Sequence, residues 1–139
     1  MTSLRSVTDG GLFTDGRRLL RAALRIDAVI TGVNGLAYLA LAGPLESLLG
    51  LPTGPGRAIG ALLLVYAVAV WAVSMPDRIG RGAAMAVVEA NLLWTVLSIV
   101  AVATGRPELN VAGGVWAVLQ ALVVAGFAAL QYTALRQTR

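Results

Sequence analysis

Cysteine, histidine and lysine are all missing from the 139 residues. Without cysteine there is no thiolate nucleophile, disulfide exchange or iron–sulfur ligand, and without histidine no zinc or haem site of the usual kind. Schiff-base chemistry loses its lysine amine. The sequence therefore offers no metal-ligand set and calls for no cofactor. Charge is scarce as well: 13% of residues carry it, against about 25% in soluble domains.

What fills the chain instead is carbon. Apolar residues make up 58% of it, and its mean hydropathy is +0.79. A soluble domain of this length would lack polar surface, whereas four membrane spans of about 20 residues with short loops use nearly all of it. The expected fold is all-α: a four-helix transmembrane bundle, up and down, with both termini inside.

Residues 1–16 mix Ser, Thr, Asp and Gly without sustained periodicity and read as a flexible cytoplasmic tail. Thr14 or Asp15 can cap a helix starting near Gly16. A single four-span domain is expected over 17–135, followed by a short tail, 136–139. Its spans are placed at about 22–42, 57–75, 82–103 and 109–132. Gly43-Pro44 should end the first, and Leu45 to Leu51 should form a short interfacial piece before Pro52 and Pro55. Pro107 suits the first turn of the last span. A cleavable signal peptide is the rival reading of the first apolar segment, but Asp27 and Asn34 are poor residues for its apolar core.

All eleven basic residues are arginines. Five precede or open the first span, two lie between Pro76 and Arg81, and two close the chain. Only Arg57 and Arg106 fall on the other side. By the positive-inside rule, the ends and the middle loop are cytoplasmic and the protein sits in the cell membrane. This distribution accounts for the net charge of +4 without a nucleic-acid partner, and suits contact with anionic membrane lipids.

Polar residues within the spans carry the functional reading, because each needs a partner in hydrocarbon. In the first span Asp27, Thr31, Asn34 and Tyr38 share one helical stripe. Asn91, Thr95 and Ser98 form another in the third span, with Glu89 about 200° from Asn91 and beside Gly82, Ala86 and Ala90. Gly113, Gln120, Phe127 and Gln131 align in the fourth, and Tyr66 marks the middle of the second. Counting from the arginines puts Asn34, Glu89, Asn91 and Gln120 near the midplane. Asp27 comes out about 9 Å shallower than Glu89. The two halves also echo one another: Asn34 matches Asn91, and Tyr66 matches Gln120.

One intramembrane pocket for an apolar or lipid-like molecule is the functional expectation. Asn34, Tyr38, Tyr66, Glu89, Asn91 and Gln120 would bind the molecule, with Glu89 as the ionisable centre. Three classes fit: a binding or accessory subunit of a larger membrane complex, a small proton-coupled transporter, or a membrane-embedded acid–base enzyme acting on an isoprenoid or other lipid. An isomerase or cyclase of that last kind would use Glu89 and Asp27 as its catalytic candidates. Small-residue ladders at Gly56/Gly60, Gly82/Ala86/Ala90 and Ala121/Ala125 suit a homo-oligomer.

With its four spans, arginine-led first helix and glycine-rich second helix, the chain resembles small bacterial, actinobacterial-type four-helix membrane proteins, loosely including DoxX-like proteins. Many of these have no assigned activity. It is also similar in size and span number to small multidrug resistance transporters. That likeness implies a dimeric proton-coupled cation exporter built around a glutamate of the first helix, where this chain has Asp27.

Overall fold

The computed structural model describes residues 16–105 and 109–137. Five helices follow one another: α1 (Gly16–Ala40), α2 (Ala42–Leu49), α3 (Thr53–Ser74), α4 (Arg81–Thr104) and α5 (Val111–Gln137). All but α2 are long and apolar enough to cross a membrane. The four expected spans are thus present, each one a helix somewhat longer than its apolar stretch. Residues 1–15, 106–108 and 138–139 lie outside the described residues, and so do the expectations placed on them.

Gly43-Pro44 does not end helical structure. Pro44 lies in the first turn of α2, where its missing N–H group would have had no partner anyway. The chain breaks two residues before Gly43, at Leu41, and resumes at once. At the far end of α2, Gly50 adopts a left-handed conformation (φ 77°), which glycine enters without steric cost. Asn110 then fastens this corner to α5. Its backbone N–H donates to the Leu49 carbonyl at 3.1 Å and its amide to the Leu48 carbonyl at 3.0 Å. Its Oδ1 accepts from the Gly113 N–H at 2.8 Å, capping α5 as asparagine commonly does.

The outer faces of the spans are carbon. Val29, Val33, Leu62, Val65, Leu93, Val96, Leu119 and Leu122 are all exposed, an arrangement suited to lipid and not to water. Inside, one cluster centred on Leu20, Leu24, Val70, Val87 and Leu135 fills the end of the bundle that carries the arginines. Arg21 closes this end. Its Nε donates to the Ser74 carbonyl at 3.0 Å, and Nη2 donates to the carbonyls of Pro76 at 2.6 Å and Asp77 at 3.1 Å. The Ser74 carbonyl ends α3 and the other two follow it, so none has a partner within the helix. Arg25 donates to the Ser74 hydroxyl at 3.2 Å and lies 5.0 Å from the centre of the Trp71 ring.

Helix α1 packs along α3 on one side and α5 on the other, and α4 packs along α5. Where α1 crosses α3, Gly35 and Gly60 meet backbone to backbone. A Cβ at either would lie 2.8 Å from the other's carbonyl oxygen. Gly60 and Ala121, members of two of the small-residue ladders, are therefore used inside the bundle, while Gly82 and Ala86 face outward. The fourth possible contact is nearly missing: α3 and α4 follow each other in sequence but barely touch. The bundle is an open arc, α3–α1–α5–α4, and its gap defines the candidate site.

Candidate functional site

Three span residues with strongly polar side chains are buried together: Asp27 (1% exposed), Asn91 (3%) and Gln131 (0%). They come from α1, α4 and α5 and converge because each is the polar position on the inward stripe of its helix. The Asn91 amide nitrogen donates to Asp27 Oδ2 at 2.8 Å, and so does the Gln131 amide at 2.8 Å. Asn91 also donates to Gln131 Oε1 at 3.0 Å. Thr31, one turn beyond Asp27, donates to its Oδ1 at 2.9 Å. Finally the Tyr66 phenol, from α3, donates to Asn91 Oδ1 at 2.9 Å with the Val87 carbonyl at 3.2 Å. All four spans meet in this tier, and no buried side-chain polar atom of the described residues lacks a partner.

A second tier lies farther from the arginines. Asn34 donates to Gln120 Oε1 at 3.2 Å, and the Trp116 indole donates to the Tyr38 hydroxyl at 2.9 Å. Along α1 the two tiers are seven residues apart, about 10 Å. The expected stripe of Asp27, Thr31, Asn34 and Tyr38 thus faces protein along its whole length.

This arrangement corrects the expected depths. Asp27 is not shallower than Asn91; the two side chains are in direct contact. Counting from Arg25 misled because that arginine lies inside the helix, beside the last turn of α3. Measured from the helix starts, Asp27 is eleven residues past Gly16 and Asn91 ten past Arg81, so they reach one level. Asn34 and Asn91 instead belong to different tiers.

Glu89 sits apart from both tiers. It is exposed on the outer face of α4, near Ala86 and Leu93, and no hydrogen bond or ion pair joins it to the described residues. An i,i+2 pair on a helix cannot share a face, so the position that buries Asn91 turns Glu89 outward. The expected common pocket with Glu89 at its centre is replaced by two tiers that exclude it. Asp27 and Glu89 likewise converge on no shared space.

The gap between α3 and α4 is an apolar groove in two stretches. The first, about 340 Å³, runs between Leu62, Leu63 and Tyr66 on one wall and Ala90, Leu93 and Trp94 on the other. Its floor is formed by Thr31, Asn91 and Val124. The second, about 280 Å³, extends past Leu97 and Ser98 to Tyr38, Trp116 and Gln120 beneath α2. Trp94 and Leu97 line both stretches, which join them into one channel along α4.

Of the residues read from the sequence, Tyr38, Tyr66, Asn91 and Gln120 line this groove. Asn34 supports Gln120 from behind. Asp27 lies under the floor, holding Thr31 and Asn91 in place. Periodicity places Thr31 and Gln131 on the polar stripes of their helices without assigning them to the site, and both take part in the buried tier. Gln131 had a signal, since it lies eleven residues, or three helical turns, beyond Gln120 and so on the same face.

Chemically the tier is closed. Both Asn91 amide hydrogens and the Tyr66 hydroxyl hydrogen are committed to bonds within it. What it still offers the groove is lone-pair capacity on the Tyr66 and Thr31 oxygens. A guest would meet carbon walls and hydrogen-bond acceptors at the inner end. Among the described residues no cluster of acidic side chains could hold a metal ion. No family model, curated protein or solved structure matches the chain.

Proposed function

We propose that the chain is a binding or accessory subunit of the cell membrane that holds an apolar or lipid-like molecule in the groove between α3 and α4. The arginine bias among the loops supports a cytoplasmic position for the arginine-rich end. The observation that carries this reading is the separation of α3 from α4. Two consecutive spans enclose carbon-lined space in place of packing against each other, and that space opens sideways toward the lipid-facing surface. Empty apolar volume is unfavourable, because the lining atoms lose their dispersion partners. A molecule drawn from the bilayer restores them. Binding sites of this kind are mostly apolar with a few placed polar groups, here the Tyr66 and Thr31 oxygens. The guest this favours has a long hydrocarbon part and one hydroxyl or ammonium donor.

The test is to purify the protein in a mild detergent and identify what co-purifies by mass spectrometry of the organic extract. A groove-filling variant, Leu97→Trp, should carry at least about tenfold less of that molecule, a loss of about 1.4 kcal/mol of binding, with unchanged helical content. Equal amounts in the two proteins would sink the proposal.

A further inference from the structure

We propose a second binding site, for a phosphate-class anion, at the arginine-rich end of the bundle. A cavity of about 310 Å³ there is lined by Arg17, Leu20, Arg78, Ile79 and Arg81. The three guanidinium groups come from separate segments: the first turn of α1, the loop 75–80 and the first turn of α4. Their convergence makes a concave positive field of the kind that concentrates anions. Planar guanidinium forks match the paired oxygens of a phosphate. Arg81 is anchored at the cavity wall by donating Nη1 to the Leu135 carbonyl at 3.0 Å. Arg17 and Arg81 each have partners of their own, and because an arginine has five N–H donors these contacts are compatible with a further acceptor. Asp77, in the same loop, does not line the cavity.

The lining is amphipathic. Leu20 belongs to the bundle core and Ile79 packs against it, so an apolar floor meets a basic rim. Helix α4 starts beside the cavity from Gly80, which supplies no side-chain cap. The N–H groups of its first turn, with the positive end of the helix dipole, therefore favour an anion at this end. Depth supports a lipid source. Helix α1 has 25 residues, or about 37 Å, against a hydrocarbon core of about 30 Å. Its first turns project into the layer where phospholipid phosphates lie. A lipid headgroup and free phosphate share the chemistry this cavity recognises, and experiment separates them.

The full-length protein in neutral detergent is titrated with phosphatidylglycerol, phosphatidylcholine and inorganic phosphate, and bound species are counted by native mass spectrometry. Retention of one phosphatidylglycerol about tenfold tighter than phosphatidylcholine is expected. Arg17→Gln/Arg78→Gln should lose about tenfold in affinity, and Arg136→Gln, which lies outside the cavity, should lose none. Should the double variant fail to fold, Arg78→Gln alone, in an exposed loop, should still weaken binding several-fold. Binding of inorganic phosphate with no preference for phosphatidylglycerol would identify the free anion as occupant and uphold the site. Three results overturn it: no binding of either probe, equal weakening by Arg136→Gln, or loss of phosphatidylglycerol in Leu97→Trp, which would put the lipid in the groove.

Discussion

The Tyr66 hydroxyl donates to the Asn91 side-chain oxygen at 2.9 Å, bridging the one gap in the arc of four spans. Because α3 and α4 scarcely pack, this bond and its companion to Val87 tie the groove walls together. Tyr66→Phe should cost about 1 kcal/mol of stability, in the range of single interhelical hydrogen bonds in membranes. It should also broaden the distance between the walls. The native chain has no cysteine, so spin labels on Thr53→Cys and Thr104→Cys report that distance alone. An unchanged distribution in Tyr66→Phe would show that something else sets the width.

Asp27 accepts three hydrogen bonds, and the two substitutions that probe it should part company. In Asp27→Asn the remaining oxygen can accept from Asn91 and Gln131 while the new amide donates to Thr31, whose hydroxyl both donates and accepts. Stability should change by no more than about 1 kcal/mol. Asp27→Ala leaves buried donors on Asn91, Gln131 and Thr31 without their acceptor and should cost at least about 2–4 kcal/mol. Unfolding in mixed dodecyl sulfate micelles measures both, and equal losses would contradict the assigned geometry.

Glu89 provides the opposite case. Its side chain faces outward and supports nothing in the bundle, so Glu89→Leu should leave detergent stability within about 0.5 kcal/mol. In a bilayer it should improve insertion, since an acidic residue near the centre of a span costs about 2.5–3.5 kcal/mol for Asp on insertion scales. A glycosylation-tagged insertion assay reads the second effect. A large destabilisation in detergent would mean that Glu89 has a partner within the fold.

Gly60→Val tests the crossing of α1 and α3. A branched side chain there meets the Gly35 carbonyl and the Cβ of Tyr38, both 2.8 Å from the position of a Cβ, so the helices must separate. A cost of about 1–3 kcal/mol is expected. Gly82→Val, on the outward face with open space around it, should cost less than about 1 kcal/mol. Thermal unfolding of the two variants side by side checks the contrast.

The four spans were legible because length and apolarity suffice to identify them, and the inward stripe of α1 because 3.6-residue periodicity places Asp27, Thr31, Asn34 and Tyr38 together. Register between helices was not legible. It depends on how far each helix extends past its apolar run, and α1 begins well before the hydrophobic stretch at Ile26. That offset brings Asp27 level with Asn91. The turning of Glu89 to the outside was half visible: periodicity separated it from Asn91 but could not say which side faced inward. Burial of the Asn91 stripe decided that. The echo between the halves reappears as geometry. Asn34–Gln120 and Asn91–Tyr66 are the two cross-pairs that matching the halves would predict, although α1 and α5 are packed together and α3 and α4 stand apart.

The open arc also bears on how the molecule is assembled. Its strongest pairings, α1 with α3 and α4 with α5, each join helices from one half of the chain, so either half can enter the bilayer as a hairpin. The first hairpin carries Asp27, yet the glutamine that completes its hydrogen bonding comes 104 residues later. During synthesis the carboxyl must wait in or beside the membrane for the last helix to emerge. Late arrival of α5 therefore both finishes the polar tier and locks the two hairpins together. A chain truncated before Gln131 should be a substrate for membrane quality control and not a smaller version of the fold.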